Sequence, residues 1–373
     1  MKEILLFIIL VFLLASFSQQ QLFHIREIRL AGVSESKPDT LSWKTWTGGD
    51  YQSSIENYLD FHAGFRNSLV RLHNQIDYSL FHLASNPTLT LGLDHYLYGD
   101  IYLEAYTGKD YIGKMMIAEK IKMLNRINQA LQTEGIHLIL VFPPNKARFY
   151  PEYIPGHELR HFNGNSNYEE FIRQLEAYPS ISVIDFNRYF LLMKDTVTYP
   201  LIPKHGIHWT NHTCQTIIPD TLIRLICRKR NLTLPDYTPT GLAYPDSLLI
   251  PDYDLYELLN LFHAQSGERI PYPVFKKEKD SVVLPVRVLT IGDSFFWNLY
   301  AHYPWKSLFT ANDFWFYGNQ RYPKHKYKEL SETSLEEIRH EFLDHDVVIL
   351  MIAEINLDDL MHFPEDAILW LEL

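Results

Sequence analysis

From about residue 90 onward, short apolar runs alternate with segments in which apolar positions recur every three or four residues. Ile117, Ile121, Leu124 and Leu131 fall at helical spacing, and Gly135 stands where that helix should end, since glycine enters a left-handed final turn without strain. The run HLILVF at 137–142 follows at once and reads as a buried strand. A helix around 168–178, a strand ISVIDF at 181–186 and a helix running to Met193 continue the rhythm. It resumes with the strand VRVLTI at 286–291, a helix from FFWNLYAHY, a strand in NDFWFYG, a helix opened by the box Ser334-Leu335-Glu336-Glu337, and a last strand DVVILMIAE. Strands and helices in alternation predict an α/β domain: a mostly parallel sheet flanked by helices.

Two stretches depart from this pattern. Residues 235–281 are rich in proline, tyrosine and aspartate and predict an irregular insertion, either a lid over a site or a wrap around the sheet. At the other end, Ile4 to Phe17 is an apolar run broken only by Ser16. A membrane span needs about twenty such residues, so this run suits a signal-peptide core or a short anchor within residues 1–22. Residues 23–90 then form an arm with a helix, and 91–373 the α/β domain. The body is expected to be exported, to the periplasm or the outer face of an inner membrane if the host is bacterial.

Composition narrows the partners. The net charge is −11, and the basic runs CRKRN at 227–231 and KHKYK at 324–328 are local, which argues against nucleic acid. Cys214 and Cys227 lie thirteen residues apart on an expected helix, about 20 Å, too far for a disulfide unless Pro219 breaks it. They read as small core residues. No cofactor is expected.

The chemistry sits at two strings. In VLTIGDSFF, Ser294 falls where a strand gives way to a helix, beyond the carboxyl end of the strand, where ligands collect in such sheets. A hydroxyl there stands clear of the sheet, near unpaired helix N–H groups suited to an oxyanion. The same Gly292-Asp293-Ser294 also serves as a plain helix cap. In PKHGIHWT, His208 supplies a base with a pKa near neutrality, as a serine nucleophile requires. His205, His208 and His212, at spacings of three and four, also admit a metal site if helical.

An H-W string followed some tens of residues later by G-D-S resembles the SGNH-hydrolase-like O-acetyltransferases of the alginate acetylation type. Residues 136–150 (IHLILVFPPNKARFY), 55–69 (IENYLDFHAGFRNSL) and 346–357 (DVVILMIAEINL) are similar to that family's strand with a proline-asparagine-lysine turn, early helix and last strand. The resemblance implies an SGNH-like α/β fold, a serine acyl-enzyme at Ser294 with His208 as base, transfer to hydroxyls of an exopolysaccharide, and a polytopic membrane O-acyltransferase partner. It also implies an aspartate two residues before the histidine, and this chain has Gly206 there. Asp293 and Glu354 are the candidates to orient His208 instead. Gly318 and Asn319 are candidate oxyanion donors, and Lys146 and Trp209 candidate contacts to an anionic sugar or acyl donor. A carbohydrate esterase is one alternative; a non-catalytic polysaccharide-binding or scaffold relative is another, and the missing aspartate favours the latter.

Overall fold

The computed structural model describes residues 2–19, 22, 27–35, 37–162, 164–263, 268–276, 283–323 and 329–373. The basic run at 324–328 and residues 264–267 and 277–281 of the expected insertion lie outside the described residues. The chain divides into two compact units: Met1–Leu89 with Leu255–Gln265, and Thr90–Asp254 with Ser266–Leu373.

The first unit is helical. Its opening helix, Lys2–Ser18, is 17 residues long. The helix expected over 55–69 is interrupted: Asp50–His62 ends at Ala63, with extended backbone (ψ 131°), and Arg66–Ile76 starts after Phe65, which is left-handed at φ 59°. Two side chains of the second helix satisfy carbonyls that no ladder serves. Arg71 donates to Leu261 O at 2.7 Å and Asn74 to Leu259 O at 2.8 Å, which ties 255–265 to this unit.

The second unit is built on a six-stranded sheet: β1 (His137–Phe142), β2 (Ser182–Asp185), β3 (Leu284–Gly292), β4 (Phe309–Phe316), β5 (Gln320–Tyr322) and β6 (Val347–Met351). The spatial order is β2-β1-β6-β3-β4-β5. All pairs are parallel except β4 with β5. Every residue of central β6 is buried, as expected of a parallel strand covered on both faces. Alternation divides its side chains. Val347, Ile349 and Met351 join one core, while Val348 and Leu350 join the other. On the first face the helix Ile217–Arg230 contributes Ile218, Leu222, Ile223 and Ile226. On the second, Lys114–Thr133 contributes Ile117, Ile121, Leu124 and Leu131. Each such side chain contributes about 1.5–3 kcal/mol by leaving water.

The segment after His208 is two helices, Asn211–Gln215 and Ile217–Arg230, parted at Thr216 (φ −123°, ψ −77°). Pro219 falls in the first turn of the second, where its missing N–H costs nothing. Cys214 and Cys227 are both free and buried.

Sheet order positions the chemistry. The chain leaves β1 for the β2 edge and β3 for the β4 edge, with β6 between them. The carboxyl ends of β1, β6 and β3 therefore meet at the switch point, and the turns after them carry Lys146, Glu354 and Ser294.

Candidate active site

β3 reaches Ser294 through Gly292 and Asp293. A Cβ on Gly292 would lie 3.1 Å from Met351 O and 3.3 Å from Met351 Cβ, so glycine lets β3 and β6 close together at their ends. Asp293 then locks the turn. Its Oδ1 accepts from Phe295 N (3.1 Å), and its Oδ2 from Ala353 N (2.6 Å) and Asn356 Nδ2 (3.2 Å). Burial pushes this carboxyl's pKa up, and the three donors act against that shift. Because Asp293 takes the capping role, Ser294 makes no side-chain cap of the helix Phe295–Ala301. Its hydroxyl is left for another partner.

That partner is His208, whose Nε2 lies 2.9 Å from Ser294 Oγ. On the far side of the ring, Nδ1 lies 2.6 Å from Asp254 Oδ2. A carboxylate only accepts, so Nδ1 carries the proton and Nε2 presents its lone pair to the serine. Asp254 Oδ1 also accepts from Ile207 N at 2.9 Å, which fixes the second oxygen of the carboxylate on the same loop. The imidazole packs edge-on against Phe295, with ring centroids 4.7 Å apart.

The orienting acid thus comes from residue 254 and not from 206. A Cβ on Gly206 would lie 2.4 Å from Pro251 O, 2.7 Å from Pro203 Cγ and 3.2 Å from Asp254 Oδ1. The space a side chain would need there is filled by the segment that brings Asp254. This segment belongs to the irregular 235–281 stretch, which grips the histidine loop at three points. Asp252 accepts from Asn211 N at 2.8 Å, Asp254 from Ile207 N, and Glu268 from Lys204 N at 2.9 and 3.1 Å. It is a strap, not a lid. Sequence reasoning missed Asp254 because its sole signal was an acid-rich stretch between the two reacting residues.

Other expected site residues have different work. Asp293 and Glu354 do not orient His208. Asp293 ties β3 to β6, and Glu354, 2% exposed, accepts from Arg148 Nε (2.8 Å) and Asn145 Nδ2 (3.0 Å). Gly318 and Asn319 are not oxyanion donors: their N–H groups close the turn onto Trp315 O and Phe316 O at 3.4 and 3.1 Å. The Ser294 N–H, in contrast, has no acceptor among the described residues. Lys146 and Trp209 are not surface contacts. Trp209 is fully buried against Phe186 and Phe295, and Lys146 is 1% exposed beneath the histidine loop. The three histidines diverge. His212 packs on Tyr199 at 4.1 Å, and burial lowers the pKa of His205 to about 3. Among the described residues no group of His, Cys, Asp and Glu is placed to hold a metal ion.

Residues 89–216 match the family model described as "SGNH hydrolase-like domain, acetyltransferase AlgX". The match includes His208 and stops short of Asp254 and Ser294. The chain is similar to the probable alginate O-acetylase AlgJ of Pseudomonas fluorescens, 26% identical over 149 residues, or 40% of this chain and 33% of the relative. The chain thus spans about a third of the length of the curated relatives it matches. Similar solved structures include the O-acetyltransferase domain of Pseudomonas putida AlgJ (TM-score 0.47, 19% identity, 73% of this chain and 93% of that one) and Bacillus cereus PatB1 (TM-score 0.45, 14% identity, 71% and 95%).

Proposed function

We propose that the protein is an exported O-acetyltransferase that carries an acetyl group on Ser294 and delivers it to hydroxyls of a cell-surface or secreted polysaccharide. The observation that carries the reading is the continuous hydrogen-bonded chain Asp254–His208–Ser294. His208 Nε2 takes the Ser294 proton as Oγ bonds to the donor's carbonyl carbon, and the Ser294 N–H is a donor for the resulting oxyanion. Collapse expels the donor's leaving group, which takes the proton back from His208. An acceptor hydroxyl, deprotonated by the same nitrogen, then attacks the acetyl ester and restores the serine. Asp254 holds the productive tautomer and offsets the imidazolium charge.

The names of the relatives, probable alginate O-acetylases, support a polysaccharide hydroxyl as acceptor. An acetyl donor must then reach the protein outside the cell, which calls for a polytopic membrane O-acyltransferase as partner. The apolar helix Lys2–Ser18 supports export or anchoring, although no helix among the described residues is long and apolar enough to cross a membrane. A scaffold without chemistry was favoured by the absent aspartate at 206, and Asp254 removes that argument.

The test is mass spectrometry of the protein incubated with an activated acetyl ester, with and without a polysaccharide acceptor. We expect one acetyl group on Ser294, none in Ser294→Ala, and faster loss of the adduct with acceptor than with water. Equal loss in both would point to an esterase. A wild-type protein that never carries the adduct would refute the reading.

A further inference from the structure

The backbone of the loop that presents His208 is held by two groups of opposite charge that do not touch the reacting atoms. From beneath, Lys146 Nζ donates to Lys204 O at 2.6 Å and to Gly206 O at 2.9 Å. From the strap, Glu268 accepts Lys204 N with both oxygens. The backbone of 204–206 is thus gripped by an ammonium at its carbonyls and a carboxylate at its N–H, and the next residue but one is the base. Lys146 itself has little freedom. It follows Asn145, whose N–H donates to Asn187 Oδ1 at 2.7 Å and whose side chain accepts from Ala147 N and donates to Tyr102 O. The rings of Tyr96 and Tyr98 lie 5.7 and 5.6 Å from Nζ.

Burying an ammonium is costly, and a neutral side chain of similar length would fill the same space without that cost. Burial lowers the Lys146 pKa and raises that of Glu268, so both groups are held against the natural preference of their site. The loop cannot be stiffened in the simplest way, by a side chain at 206, because that space is occupied. We infer that Lys146 and Glu268 form a clamp across the histidine loop and are positioning residues for His208. They keep its Nε2 within reach of Ser294 while Asp254 sets the ring. The inference rests on the acetyl-serine reading for its kinetic consequence and on geometry alone for its spectroscopic one.

The test compares the full chain with Lys146→Met, Lys146→Ala and Glu268→Gln, each first shown to be folded by circular dichroism. Two quantities are read: the rate of Ser294 acetylation by the activated ester, and the low-field proton resonance of His208 Nδ1–H bonded to Asp254. Lys146→Met should slow acetylation by about 10²-fold, the scale of a small misplacement of a reacting group, with little change in the KM for the ester. Glu268→Gln keeps the shape and should lose less. In Lys146→Ala, added ethylammonium should restore part of the rate, which a merely space-filling role would not permit. The Nδ1 resonance should broaden or vanish in Lys146→Met while Asp254 remains. Wild-type acetylation rates in Lys146→Met, with the resonance unchanged, would overturn the clamp. A wild type with no adduct overturns the acetyl-serine reading, and the resonance then still decides the clamp.

Discussion

Asp254 shows how much one side chain decides at the smallest scale. Its two oxygens hold the His208 ring and the preceding backbone N–H at once. Asp254→Asn should therefore leave the fold intact and reduce Ser294 acetylation by about 10⁴-fold, the loss expected when the wrong imidazole tautomer is stabilised. A smaller loss than tenfold, measured under single-turnover conditions, would mean that another group orients the base. Adding Gly206→Asp should not rescue that variant, because its Cβ would overlap Pro251 O. A second residue-scale expectation concerns acid. His205 and His212 are buried, and burial lowers their pKa values to about 3 and about 4. An unfolded histidine takes a proton near pH 6.5. Between these values the unfolded chain binds more protons than the folded one, so stability falls as pH falls, by at most about 1.4 kcal/mol per pH unit per histidine. Glu268 acts in the opposite sense, because burial raises its pKa, so the test is a difference: between pH 6.5 and 4.5 the urea midpoint of the wild type should fall more steeply than that of His212→Phe, and equal slopes would contradict the burial of this ring.

At the scale of elements, the ends of β1, β3 and β6 are joined by polar side chains that the chemistry does not use. Glu354, after β6, pairs with Arg148 in the turn region after β1, and Asp293, after β3, receives the N–H of Ala353. These bonds set the spacing of three turns whose backbones have no ladder to hold them. Glu354→Gln leaves a largely buried guanidinium with Glu169 as its remaining carboxylate partner beside Ser166 Oγ. It should cost about 3 kcal/mol in urea denaturation, the low end for breaking a buried ion pair, and leave the acetylation rate of the folded fraction nearly unchanged. If stability is untouched while acetylation collapses, Glu354 belongs to the chemistry after all. In the sheet itself, Ile349→Ala at the centre of β6 should cost about 2–5 kcal/mol, because both faces of this strand are covered and a cavity there cannot collapse.

At the scale of the whole molecule, the proposed chemistry and the proposed anchor fall in different units. Every residue of the proposed reaction lies in the unit of Thr90–Asp254 and Ser266–Leu373. The apolar helix Lys2–Ser18 lies in the other. The proposed anchoring predicts that removal of residues 2–18 shifts the protein from the membrane fraction to the soluble fraction of a bacterial host without changing its acetylation by a soluble ester. Retention in the membrane fraction would point to another attachment.

The sequence by itself determined what local spacing can encode. Alternating apolar runs and helical periodicity gave the order of strands and helices, because burial on a sheet face or a helix stripe repeats every two or 3.6 residues. Ser294 was legible as a residue at a strand end before a helix, and His208 through its neighbours and a family resemblance. The early helix was misread across Ala63–Phe65, where the backbone turns without a proline to mark it. Lys146 and Trp209 read as candidate substrate contacts because a lysine in a turn or a tryptophan beside a histidine carries no local sign of burial. Only the tertiary structure decided which carboxylate serves the histidine. Asp254 and His208 stand 46 residues apart, and Asp254 lies in a stretch without periodicity. Their contact depends on the strap's path over the loop and on the empty Cβ position of Gly206, and no spacing rule records either one.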